Sequence, residues 1–214
     1  MLATTWTLVW EGLDVWRAEI ARVELTEEGL HATGTQIGIE PVSYRLDYAL
    51  EAPERFVTRT LTAEATGAGF RRRLELHHDG RGAWSADAEA EGDVELQETA
   101  GGSVEALGQA LDCDLGLSPL TNLMPVRRHG FHESEGAAEF VMAWISVPDL
   151  GLHASGQRYE HVRRDVGGAV VRYVDLGTHR GLTSELELDP EGFVILYPGL
   201  ARRVGAPAAP AVQV

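Results

Sequence analysis

Val42-Ser43-Tyr44-Arg45-Leu46-Asp47-Tyr48-Ala49-Leu50 puts an apolar side chain at every second position, with Ser43, Arg45 and Asp47 between them. Successive side chains of a strand point to opposite faces of a sheet, so this stretch reads as a β-strand with one buried face. The alternation recurs at Trp84, Ala86, Ala88 and Ala90 against Ser85, Asp87, Glu89 and Glu91. It recurs again at Leu182, Ser184, Leu186 and Leu188 against Thr183, Glu185 and Glu187.

Working outward, further strands are expected at residues 5–10, 30–37, 56–65, 70–78, 157–163 and 169–176. Turn residues separate them. The clearest turn, Asp189-Pro190-Glu191-Gly192, predicts a hairpin joining 182–188 with 193–197, because Pro190 presets one turn dihedral and Gly192 tolerates positive φ. In residues 14–25 the apolar set runs Trp16, Ala18, Ile20 and then Val23, Leu25, a change of parity that a bulge near Ala21 or Arg22 would explain. Residues 140–147 are apolar on both parities, which predicts a central strand covered on both faces. Helix signals reduce to Ser103 as N-cap with Val104, Leu107 and Leu111 behind it. The expected fold is therefore all-β or β-dominated: a long antiparallel meander curled into a barrel or half-barrel, with at most one or two short helices. Residues 1–204 form one β-rich domain, and the Ala- and Pro-rich stretch 205–214 is expected to be a flexible tail.

Composition narrows the function. With 214 residues, 44% hydrophobic and 24% charged, the chain is long enough to bury a substantial single core. The net charge is -15 and all 18 basic residues are Arg, so nucleic acid would meet a repulsive field. The single cysteine, Cys113, cannot form an internal disulfide, and residues 1–10 lack the pattern of a signal peptide, which together predict a cytoplasmic protein. The longest apolar run, 140–147, is closed by Pro148 far short of a membrane span, so no transmembrane segment is expected.

The least generic stretch is Leu111-Asp112-Cys113-Asp114-Leu115-Gly116-Leu117-Ser118-Pro119-Leu120-Thr121-Asn122-Leu123-Met124-Pro125-Val126-Arg127-Arg128, which carries two prolines, the chain's one Asn and paired Asp and Arg. It resembles the signature of the bacterial family known as Putative glycolipid-binding: an acidic strand, then Ser-Pro-x-Thr-Asn, then a Pro and Arg-Arg. The closing stretch from Glu187-Leu188-Asp189 through Gly192 to Tyr197-Pro198-Gly199-Leu200 is similar to that family's last hairpin. The resemblance implies a half-barrel with a likeness to lipoprotein and glycolipid carriers.

A wide curved sheet needs its concave face filled, by side chains and loops or by a ligand. The paucity of helix signals favours an apolar or amphipathic guest, lipid-like or glycolipid-like, and loops with the five tryptophans Trp6, Trp10, Trp16, Trp84 and Trp144 are the alternative filling. Arg59 and Arg72 interrupt apolar parities and could meet an anionic or sugar head group, or pair with a nearby Glu. Arg127 and Arg128, expected on a new strand after Pro125, would point to opposite faces. Thr121 and Asn122, beside two prolines, suit a tight connection first and ligand contact second. The candidate binding set is Arg59, Arg72, Asp114, Asn122 and Arg127.

Two other function classes stay open. A protein-interaction module would use the sheet face or edge. A glycoside-type hydrolase would use Asp112 and Asp114, about 6.6 Å apart along an extended backbone, where inversion needs carboxyls roughly 6.5 to 9.5 Å apart. No catalytic residue, cofactor or metal is otherwise indicated. His77 and His78 are adjacent on a strand and point apart, Gly116-Leu117-Ser118 is followed by Pro119 and not by the glycine of a nucleophile elbow, and Gly67-Ala68-Gly69 is too short for a dinucleotide loop.

Overall fold

Residues 3–177, 180–205 and 211–212 are described by a computed structural model. The first half is a meander of seven strands: β1 (Thr4–Gly12), β2 (Arg17–Leu25), β3 (Leu30–Gly38), β4 (Tyr44–Ala52), β5 (Thr60–Gly67), β6 (Phe70–His78) and β7 (Trp84–Gly92). Each pairs antiparallel with the one before it. In β4 the period-two reading holds along the whole strand, with Tyr44, Leu46, Tyr48, Leu50 and Ala52 buried and the residues between them exposed.

The second half holds β8 (Asp112–Leu115), α1 (Leu123–His129), β9 (Ala137–Ile145), β10 (Leu152–Asp165), β11 (Gly168–Asp175), β12 (Thr183–Leu188), β13 (Val194–Tyr197), β14 (Ala201–Arg203) and β15 (Ala211–Val212). Pairing of β14 with β1, Trp10 opposite Arg203, joins both halves into one curved sheet that runs from β7 through β1 and β14 to β8. The two ends, β7 and β8, do not pair, so the barrel stays open. Among the described strands every pairing is antiparallel except that of β8 with β9. The free edge of β8 lies against the connection between β4 and β5, where the Thr58 amide donates to Leu111 O and the Cys113 amide to Thr58 Oγ1. The expected hairpin is present, with Gly192 at φ 92° and its amide bonded to Asp189 O. Of the expected tail, 206–210 and 213–214 lie outside the described residues, and Ala211 and Val212 pair with Thr5 and Thr4 of β1.

The concave face is largely filled by the chain itself. Leu107, Ala110, Cys113, Leu115, Leu120, Leu123 and Met124 share one core with the inward residues of the first meander, among them Leu8, Trp10, Leu46, Leu50, Leu61 and Leu74. A second cluster gathers Val126 and Phe131 against Tyr159, Val171, Tyr173, Leu186 and Tyr197. The filling comes from short elements, β8 and α1, and the irregular backbone around them, too short to leave a periodic trace in a sequence.

Four local expectations are corrected. No bulge interrupts β2, whose register is continuous with both neighbours; instead Arg17 and Glu19 take the buried parity with Ala21, Val23 and Leu25, and Trp16 and Ile20 face outward. Those two charged side chains are buried because each finds polar partners inside, described below. Residues 140–147 do not form a central strand: β9 is second from the edge, and only its Met142, Ala143 and Ile145 are buried. Arg127 and Arg128 lie on α1, not on a strand, since Pro125 falls in the helix's first turn, where its missing amide costs nothing. Gly130 in the left-handed conformation ends that helix, and Arg127, Arg128 and His129 in its last turn suit the negative end of the helix dipole. The expected helix after Ser103 is one 3₁₀ turn, Val104–Leu107, closed by Gly108 at φ 55°.

Candidate functional site

Between β8 with the turn that follows it and the inner face of β11 and β13 lies a half-open cavity of about 440 Å³. Its lining is mixed: Leu115, Leu117, Trp144, Val147, Leu182 and Leu200 are apolar, Asp114, Ser118, Asn122, Asp149 and Asp175 are polar, and Tyr173 and Tyr197 contribute rings. Glu98 closes one side, accepting from Ser146 Oγ at 2.9 Å and lying 2.7 Å from His153 Nε2. Among the described residues, none that lines the cavity is basic.

The polar floor is built by the Ser118-Pro119-x-Thr121-Asn122 stretch and β10. Asp114 accepts from Gln157 Nε2 at 2.7 Å and from Thr121 Oγ1 at 2.9 Å. Asn122 donates to Pro119 O at 3.2 Å and accepts the Tyr159 hydroxyl at 2.7 Å. Asp175 accepts the Gly177 amide at 2.7 Å and the Tyr173 hydroxyl at 3.4 Å. Burial pushes the Asp114 carboxyl above the usual carboxylate range, and the neighbouring charges of Asp175 and Asp112 add to the shift against the hydrogen bonds that oppose it. Burial likewise raises Asp149.

The turn Gly116-Leu117-Ser118 is fixed from behind. Ser118 Oγ donates at 2.7 Å to Glu19 Oε1, which also accepts the Tyr48 hydroxyl at 2.6 Å. Arg17 sits beside Glu19, bonded through Nη1 to Asp14 and through Nη2 to Leu200 O. The turn holds Leu117 at φ 64°, a conformation that costs a non-glycine residue about 1 to 2 kcal/mol. That strain is what directs the Leu117 side chain along the cavity wall.

Of the candidate binding residues, Asp114 and Asn122 meet in this cavity and the three arginines do not line it. Arg59 is exposed and ion-paired with Glu54 at 3.5 Å. Arg72 is buried and spends its guanidinium on the carbonyls of Arg71, Glu91 and Val94. Arg127 donates to Glu191 O at 3.0 Å and lies 5.3 Å above the Phe56 ring. Asp112 is bound on both carboxylate oxygens by Arg128 and does not line the cavity, so the two carboxylates do not face a shared space as the hydrolase alternative requires. Sequence reasoning missed Asp149, Tyr173, Asp175 and Tyr197. Tyr173 and Asp175 sit two apart on a strand, and that polar intrusion on a buried parity was their one local signal.

The fold and the cavity together define an open antiparallel half-barrel whose cleft sets apolar side chains beside acid and amide groups. The chain belongs to the family described as Putative glycolipid-binding, whose model matches residues 7–203. Among solved structures it is similar to a DUF1089-family protein from Pseudomonas aeruginosa, with 28% identity and a TM-score of 0.65, covering 87% of this chain and 92% of that one. No curated protein matches it. No helix among the described residues is long and apolar enough to cross a membrane.

Proposed function

We propose that this protein binds an amphipathic, lipid- or glycolipid-like molecule in the cavity between β8 and β11. The observation that carries the reading is the cavity's mixed lining, with leucine, valine and tryptophan beside carboxylates and an amide. Such a surface fits a ligand with one apolar and one hydrogen-bonding part. The lack of any lining cation points to an uncharged polyhydroxylated head group and away from phosphate or carboxylate, because acidic groups already fill the floor. Asp149 lines the cavity, and its carboxyl is an acceptor that suits a sugar hydroxyl. A cytoplasmic setting, in keeping with the free, buried thiol of Cys113, is part of the same proposal.

Titration calorimetry with octyl glucoside below its micelle concentration tests this, with octyl phosphate as the comparison. The glucoside is expected to bind one to one and the phosphate to bind far more weakly. Asp149→Ala is expected to weaken the glucoside about ten- to a hundredfold, the worth of one hydrogen bond to a charged group. Equal affinity for both amphiphiles, or none for either, overturns the proposal, and the second result would favour a protein-interaction module.

A further inference from the structure

We infer that the cavity continues into a second limb that holds the hydrocarbon chain of the ligand; the inference rests on the binding function proposed above. A cleft of about 290 Å³ adjoins the main cavity, and Gln97, Leu117 and Val147 line both, so the two spaces meet at those residues. Leu117 and Val147 make the passage apolar. The strained backbone at Leu117 therefore places its side chain at the junction of the two spaces.

Beyond the junction the second limb is lined by Val15, Trp16, Ile39 and Pro41, from the loop before β2 and the loop after β3. Trp16 is 59% exposed and Ile39 49%, large apolar side chains left uncovered side by side. A hydrocarbon chain laid in the cleft covers them and removes that surface from water.

Asp14 and Glu40 line the limb as well, which disfavours an anionic group there. The ligand class assigned is thus an uncharged head group joined to a hydrocarbon chain.

The test uses alkyl glucosides with chains of about four to ten carbons, measured by calorimetry. Affinity is expected to climb by about threefold to fourfold per methylene until the limb is filled. Leu117→Asn, chosen because asparagine tolerates the left-handed conformation, is expected to abolish the chain-length dependence.

Chain-length dependence that is absent from the wild type, or that survives Leu117→Asn, overturns the second limb and leaves the main cavity's role standing. Decanoate binding as tightly as decyl glucoside overturns a ligand that carries a head group. Failure of every glucoside to bind removes the parent proposal itself.

Discussion

The Tyr159 hydroxyl donates to Asn122 Oδ1 at 2.7 Å, and through that bond β10 holds the polar residue that begins the approach to α1. Both residues are buried. Tyr159→Phe keeps the ring contacts with Phe140 and Tyr173, each at 5.4 Å between centroids, and removes only the hydroxyl. The buried Asn122 oxygen then lacks its donor, which is expected to cost about 1 to 3 kcal/mol. For a chain of this size that is a fall in Tm of roughly 2 to 4 °C per kcal/mol, read by calorimetry or circular dichroism. A Tm equal to the wild type would mean that water replaces the hydroxyl without cost.

The buried pair of Asp112 and Arg128 fastens α1 to β8, with side chains 1% and 7% exposed. Breaking such a pair strands a charge away from water. Asp112→Asn is expected to lose about 3 to 5 kcal/mol, while the double change Asp112→Leu with Arg128→Met recovers most of it because no charge is left behind. Urea unfolding midpoints of the three proteins decide this, and a double variant no better than the single one would show that Arg128 also acts through its contact with Phe56 O.

Leu117 offers a case in which stability and binding part company. Leu117→Gly relieves the positive φ but frees the unfolded chain, and the balance is expected to raise stability by about 0.5 to 1 kcal/mol. The same change strips the apolar surface from the junction of the two cavities and is expected to weaken amphiphile binding. Parallel denaturation and binding curves check both halves. A destabilised variant would mean that packing of the leucine outweighs its backbone strain.

Period-two patterning made the meander legible because the inward side chains of β4 are all apolar and its outward ones, Ala49 apart, are charged. Asp114, Thr121 and Asn122 were legible as an unusual polar stretch, of which Asp114 and Asn122 line the cavity and Thr121 bonds Asp114. The arginines misled, because Arg59 and Arg72 interrupt apolar runs for local reasons: one pairs with Glu54 and the other bonds backbone carbonyls of its own hairpin and the chain beyond it. Trp16 and Ile20 misled in the opposite sense, since hydrophobicity assigned them to the core and the buried parity belongs to Arg17 and Glu19. Asp149 and Asp175 come from a turn and a strand end far along the chain from Asp114, and only the closing of the sheet brings them to one cavity.

Glu19 makes the stability of this protein depend on pH near neutrality. Burial raises its carboxyl from the ordinary 4.5 to about 7, against hydrogen bonds from Tyr48 and Ser118 and the charge of Arg17, all of which lower it. Between those two values the folded protein holds a proton that the unfolded chain has released. Stability contributed at this site is therefore full below about pH 4.5, declines as pH rises toward 7, and is flat above it. The span of the decline is about 3 kcal/mol. Glu19→Gln keeps an oxygen to accept from Tyr48 and Ser118 but carries no charge to desolvate. The variant is expected to match the wild type at about pH 4.5 and to exceed it by up to about 3 kcal/mol above pH 7, in urea unfolding measured across that range. A difference that does not change with pH would mean that Arg17 keeps Glu19 ionised in the fold, and the turn at Ser118 would then be held by a permanent charge pair.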